Sequence, residues 1–158
     1  MKIKDLNPDI LEQLVELECN NILPILASVG LNLTPQHMRD QLEFFKESNV
    51  VISQSSNHVD GFAMYEINNS EVTVISFNLK KFNDLRILST LLDAIFQHLK
   101  DTPIETIKSH AHHTNTKSLN FHRRMGFKEV ENTQHHIVFE ISKNDLLSTI
   151  AKRVKKPN

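Results

Sequence analysis

Between Val50 and Leu79 the chain reads as three β-rich runs in direct succession, "VVISQ", "HVDGFAMYEI" and "EVTVISFNL", parted only by turn residues at Ser55–Asn57 and Asn68–Asn69. Connections this short join antiparallel neighbours, because a parallel crossover needs about a dozen residues or more. An antiparallel meander is therefore imposed on the middle of the fold. The next segment, "NDLRILSTLLDAIFQHLK", sets Leu88, Leu91, Leu92, Ile95 and Leu99 on one helical face, the stripe of a helix lying on a sheet. "IETIKSHAH" then reads as a strand again, so this helix makes a crossover and the sheet is mixed.

Elements on either side complete the pattern. "MKIKDLN" predicts an edge strand, and Asn7 with Pro8 forms the N-cap and first residue of a helix through "PDILEQLVELECNNIL". Thr34 and Pro35 repeat that signal for a second helix, with Met38, Leu42 and Phe45 at helical spacing. After the crossover come a helix, "NTKSLNFHRRM", two strands, "FKEV" and "QHHIVFEIS", and a terminal helix over about 143–156. The order is β-α-α-β-β-β-α-β-α-β-β-α, and with no repeat or linker it predicts one domain over 1–158 of the α/β (α+β) class. Gly61, inside a strand run, marks a bulge or a close backbone approach.

A chain of 158 residues, 39% hydrophobic and 23% charged, buries an adequate core without disulfides or metal, and it holds no apolar run near the ~18 residues of a membrane span. Its net charge of −1 gives no electrostatic case for nucleic acid. The N-terminus lacks the continuous apolar stretch of a secretory signal, so a cytoplasmic location is expected. The single cysteine, Cys19, sits in an apolar helical pattern and is expected in the core. The basic tail "AKRVKKPN" reads as a solvated helix end.

In "NTKSLNFHRRMGF", Thr114 or Asn115 caps the helix start, and Gly126 falls where the residue past the helix end turns left-handed. Ser118, Phe121, His122 and Met125 share one stripe, so His122 points inward. An inward histidine is most simply satisfied by a backbone carbonyl or water.

This segment resembles the last block of the GNAT acyl-CoA N-acyltransferase superfamily. There an Asn begins a helix, a small residue follows, and an aromatic-Tyr pair precedes Gly-Phe. Those places are held here by Asn115, Ser118, Phe121 with His122, and Gly126 with Phe127. The order of elements matches that fold too, so the resemblance spans nearly the whole chain. It implies a mixed, mostly antiparallel sheet flanked by helices on both faces. Two central parallel strands, "EVTVISFNL" and "IETIKSHAH", are then expected to splay around acetyl-CoA, the co-substrate.

By the same resemblance, Asn115, Ser118 and Phe121 contact the coenzyme, the strand around Phe77, Asn78 and Leu79 orients the thioester, and His122 replaces the tyrosine that protonates the departing thiolate. Imidazole, with an ordinary pKa near 6.5, is chemically able to deliver that proton. The family's pyrophosphate loop corresponds to Asn83, Asp84, Leu85, Arg86, Ile87, Leu88 and Ser89, where Asn83, Arg86 and Leu88 occupy the three signature places and both loop glycines are replaced. The helix amides persist there, and Arg86 offers a phosphate partner. The alternative is a plain turn with Asn83 or Asp84 as N-cap. For the family's strand carboxylate the candidates are Glu71, which opens the strand, and Glu66, which closes the one before it.

Nine histidines include His110 and His112 on one strand face, a partial metal set lacking a supported third ligand, so no metal is expected. Transfer of acetyl from acetyl-CoA to a primary amine of a small molecule or protein follows as the first reading. A catalytically inactive GNAT-like ligand-sensing or interaction module is the second, favoured by the replaced glycines and tyrosine. A homodimer is compatible with either.

Overall fold

The meander forms where the turn residues place it. In the computed structural model, which describes residues 1–154, β1 (Asn49–Ser55), β2 (His58–Asn68) and β3 (Glu71–Leu79) pair antiparallel in sequence. The turns close through left-handed Ser56 and Asn69, the second a residue type that tolerates this conformation. Helix α3 (Leu85–Leu99) crosses over to β4 (Thr106–His112), α4 (Thr116–Arg124) follows, and β5 (Lys128–Asn132) and β6 (His136–Ser142) close a six-stranded sheet of order β1-β2-β3-β4-β6-β5. The last helix, α5, spans Lys143–Val154. Residues 155 and 156 of the expected terminal helix, like the end of the basic tail, lie outside the described residues.

Helices cover both faces. On one side α1 (Pro8–Ser28) and α2 (Pro35–Phe44) bury Leu14, Leu17, Met38 and Leu42 against Val50, Phe62 and Met64. On the other, the α3 stripe meets Val72, Leu79 and Ile107, with Leu146 and Ile150 of α5 alongside. Cys19 is half-buried and packs against the first of these clusters. Among the described residues no helix is long and apolar enough to cross a membrane.

The opening segment departs from the expected strand. Lys2 makes a single bridge to Asn49, and Ile3–Asp5 turns into one 3-10 turn. Burying Ile3 beneath α1 and meeting the Asn7 cap leave too few residues for a ladder. Helix α1 also runs on past Pro24 to Ser28, beyond its predicted end.

Gly61 fulfils both parts of its reading. It follows a register shift between β1 and β2, and a Cβ there would lie 2.7 Å from Leu79 Cδ2 and 2.9 Å from the Asn78 carbonyl oxygen. At the end of α4 Gly126 adopts φ +89°. Its amide donates to the Arg123 carbonyl and that of Phe127 to the His122 carbonyl at 3.0 Å, the paired bonds of a Schellman cap.

Candidate acyl-CoA site

The one parallel pair of the sheet comes apart. β3 and β4 bond only over Glu71–Thr73 with Thr106–Lys108, and from Val74 to Leu79 β3 has no ladder partner on its β4 side among the described residues. β4 stays zipped to β6 along its whole length, while β3 takes a bulge against β2, where Met64 faces Ser76 but Tyr65 faces Val74. A bulge increases local twist and so carries β3 away from its neighbour. The result is a V with unpaired main chain on one wall. Both α3 and α4 start at its open end, so two sets of helix-terminal amides face the mouth.

At the first of these, Asp84 is the N-cap. Its Oδ1 accepts from the amides of Arg86 at 3.0 Å and Ile87 at 3.3 Å, which settles the cap in favour of Asp84 over Asn83. The amides that would meet a pyrophosphate are thus already held by a carboxylate of the chain's own. Lys80, Lys81, Asn83 and Arg86 are exposed around it, as is Leu85. Ile87 and Leu88 are buried in the α3 core and present no side chain to solvent, while Ser89 is half-buried.

At the second, Asn115 caps α4 by accepting from the Ser118 amide at 3.2 Å. The inner face of the helix is Leu119, His122 and Met125, with Ser118 and Phe121 at its margin. Leu119, absent from the expected stripe, packs on Ala111, Ile137 and Phe139. Phe121 stacks on Phe77 across the V, with centroids 4.9 Å apart.

His122 is 6% exposed and stacks on Phe139 at 4.5 Å. Its Nδ1 lies 2.7 Å from the Ser118 carbonyl, which only accepts, so Nδ1 carries the proton. Nε2 is then a bare acceptor for the Ser109 hydroxyl, at 2.7 Å. Burial pushes the His122 pKa below its ordinary value, the Ser118 bond opposes this, and His110 adds a smaller repulsion. Both ring nitrogens are bonded, and burial favours the neutral imidazole. Sequence reasoning missed Ser109, although a small polar residue between Ile107 and Ala111 on the inward face was a readable signal.

Ser109 and His122 line a cavity of about 70 Å³ between the diverging strands and α3, α4 and α5, together with Val74, Phe77, Ile95 and Phe121. Asn78 and Leu79 are buried on the wall that β3 shares with β2. Asn78 turns toward α1, where Asn21 Nδ2 donates to its Oδ1 at 2.9 Å and to the Leu79 carbonyl at 3.1 Å.

The same network contains a carboxylate that sequence reasoning overlooked. Glu18 of α1 is buried, accepts from the Ser76 hydroxyl, and Ser76 in turn accepts from Asn78 Nδ2 at 2.7 Å. Burial raises the Glu18 pKa above the ordinary carboxylate value, against the lowering effect of the Ser76 and Asn78 bonds. Folding therefore favours the protonated form. That contribution is fully present below the unfolded pKa of about 4.5 and is lost as pH rises through the folded value. Glu18→Gln keeps an acceptor for Ser76 without the charge. It is expected to be more stable than the parent at pH 8, with the difference vanishing at pH 4; urea denaturation at the two pH values checks this.

Glu71 is not brought to this constellation. It forms an ion pair with Lys108 at 2.8 Å at the closed end of the V, while Glu66 accepts from Ser48 on the far side of β2. His110 and His112 do share a face, where both lie 5.4 Å from His136 by ring centroid. Among the described residues no three His, Cys, Asp or Glu side chains are grouped to hold a metal ion.

Comparison with known proteins agrees with this geometry. The family model described as "Acetyltransferase (GNAT) domain" matches residues 46–147. No curated protein matches the sequence. Among solved structures, the PaiA N-acetyltransferase of Thermoplasma acidophilum, in complex with coenzyme A, is similar with TM-score 0.68 and 16% identity over 90% of this chain and 95% of that one. The ribosomal-protein-S18-alanine N-acetyltransferase of Escherichia coli gives TM-score 0.63 at 11% identity, covering 87% and 90%. The Campylobacter jejuni N-acetyltransferase PseH, in complex with acetyl coenzyme A, gives 0.60 at 11%, covering 90% and 96%. With the split sheet, the helix termini at its mouth and a family match over most of its length, the chain belongs to the GNAT acetyltransferase family and is an acyltransferase.

Proposed function

We propose that this protein transfers the acyl group of a coenzyme A thioester, acetyl-CoA in the simplest case, to a primary amine. The observation that carries the reading is the V between β3 and β4, whose open end meets the N-terminus of α3. Unpaired main chain of Val74–Leu79 offers hydrogen bonds to an extended arm lying in the gap. Lys80, Lys81 and Arg86 offer charge to a pyrophosphate at the mouth. Asn115, Ser118 and Phe121 form the α4 side of the same channel.

The chemistry assigned to the chain is a proton shuttle. As the amine attacks the thioester carbonyl, a C–N bond forms and the nitrogen must shed a proton. Neutral His122 takes it at Nε2 through the Ser109 hydroxyl, since Nδ1–H is committed to Ser118. When the C–S bond breaks, the imidazolium returns that proton through Ser109 to the thiolate. A buried imidazolium is a strong donor, because burial opposes its charge. Glu71 has no part in this scheme, and the acceptor deprotonates without it.

Titration calorimetry with acetyl-CoA tests the coenzyme assignment. Saturable binding is expected, weakened about 10- to 100-fold in Arg86→Glu through loss of a charged hydrogen bond. Asp84→Asn keeps the cap oxygen but withdraws the competing charge, so it should bind more tightly than the parent. Absence of both binding heat and thermal stabilisation at millimolar acetyl-CoA would sink the reading.

A further inference from the structure

The cavity beneath the V extends beyond what an acetyl group needs. α3 carries its pyrophosphate-facing end at Leu85 and runs back along the V, so Leu92 and Ile95 lie about 10–15 Å further in. There Val72 and Ile107 close the strands, and Val74, Leu92, Ile95 and Leu99 wall the inner part of the same cavity of about 70 Å³ that Ser109, His122, Phe77 and Phe121 line. On the scale at which ~150 Å³ of apolar cavity takes a benzene ring, the whole cavity takes about three carbons, the number a butyryl group carries beyond its carbonyl.

One wall carries an unanswered polar group. Tyr65, the only tyrosine in the chain, is 4% exposed and lines the cavity. Among the described residues its hydroxyl is the buried side-chain atom left without a hydrogen-bond partner. Buried polar groups are otherwise almost always bonded, so such an orphan calls for a ligand. Nothing in the packing requires it: tyrosine faces His98 edge-on at 5.6 Å, a contact phenylalanine would keep.

We propose that this cavity is the acyl-tail subsite, and that the donor is a coenzyme A thioester of a short acyl chain longer than acetyl, bearing a tail oxygen that accepts from Tyr65. The proposal rests on the acyl-CoA reading above and deepens it. A coenzyme entering from the α3 terminus directs its thioester inward along the V, so the carbons beyond the carbonyl enter the cavity. The apolar walls select chain length, and the Tyr65 hydroxyl selects oxygen on the tail over hydrogen.

Calorimetry on the parent protein with free coenzyme A, acetyl-CoA, butyryl-CoA and 3-hydroxybutyryl-CoA separates the possibilities. Burial of two added methylenes predicts butyryl-CoA binding about tenfold more tightly than acetyl-CoA, with 3-hydroxybutyryl-CoA tighter still. Tyr65→Phe should abolish the preference for the hydroxylated chain and leave the butyryl preference intact. Equal affinity for acetyl- and butyryl-CoA would overturn the subsite while leaving the coenzyme reading in place. A hydroxyl preference that survives in Tyr65→Phe would overturn the role of Tyr65. No binding of any member would overturn both.

Discussion

Replacing His122 by phenylalanine is expected to lower kcat about 100- to 10,000-fold while KM for the acyl-CoA changes little. The substitution keeps an aromatic ring against Phe139 but removes the acceptor for Ser109 and the donor to Ser118. Shape is retained and the proton path is lost. The shuttle begins with neutral imidazole, so the parent should hold its rate down to a pH below the ordinary histidine value of 6.5, then lose it as pH falls through the depressed pKa of the folded protein. Stability follows the same sign: for a depressed histidine the contribution is present above the unfolded pKa and disappears on acidification. A pH–rate profile and unfolding curves of parent and variant read both effects. Turnover within threefold of the parent would remove His122 from the chemistry and return it to the role of a satisfied core residue.

Phe139→Ala is expected to cost about 3–5 kcal/mol of folding stability, the usual range for deleting a fully buried phenylalanine. Phe139 is wholly buried at the centre of the cluster that joins β4 and β6 to α4. Its ring also forms the floor on which His122 stacks. Truncation should therefore do more than open a cavity. With the floor gone, the imidazole gains freedom to leave Ser109, and kcat should drop even under conditions where the variant is still folded. Urea denaturation measures the first effect and steady-state rates at low denaturant measure the second. A stability loss below about 1 kcal/mol would mean the neighbouring elements collapse onto the gap, contrary to close packing here.

The fold was legible wherever the signal is local. The meander, the α3 stripe, the Asn7–Pro8 and Thr34–Pro35 starts and the Gly126 stop each depend on residues a few positions apart, and each element stands where the pattern puts it. The first segment misled because a three-residue alternation near Ile3 resembles a strand, whereas burial of Ile3 and the adjacent helix cap decide its path. The surroundings of Glu71 were hidden for a similar reason. A carboxylate opening a central strand looks available in sequence, but the register places Lys108 beside it at the closed end of the V.

The site was legible only in outline. The inward turn of His122 was readable from one helix, because helical spacing fixes which side chains share its buried face. Its hydrogen-bond partner on β4 was not.

What the sequence by itself determined is the order of elements from α1 onward, the parallel crossover and the inward turn of His122, since periodicity and caps act over one or two turns of chain. Tertiary structure alone decided the rest. Where β3 leaves β4, that Ser109 meets an imidazole 13 residues away, that Glu18 meets Ser76 across 58, and that the Tyr65 hydroxyl has no partner among the described residues are outcomes of how helices seat on a twisted sheet. Such contacts depend on the relative placement of whole elements, and a hydrogen bond tolerates only a few tenths of an ångström in that placement, a precision that no local pattern encodes.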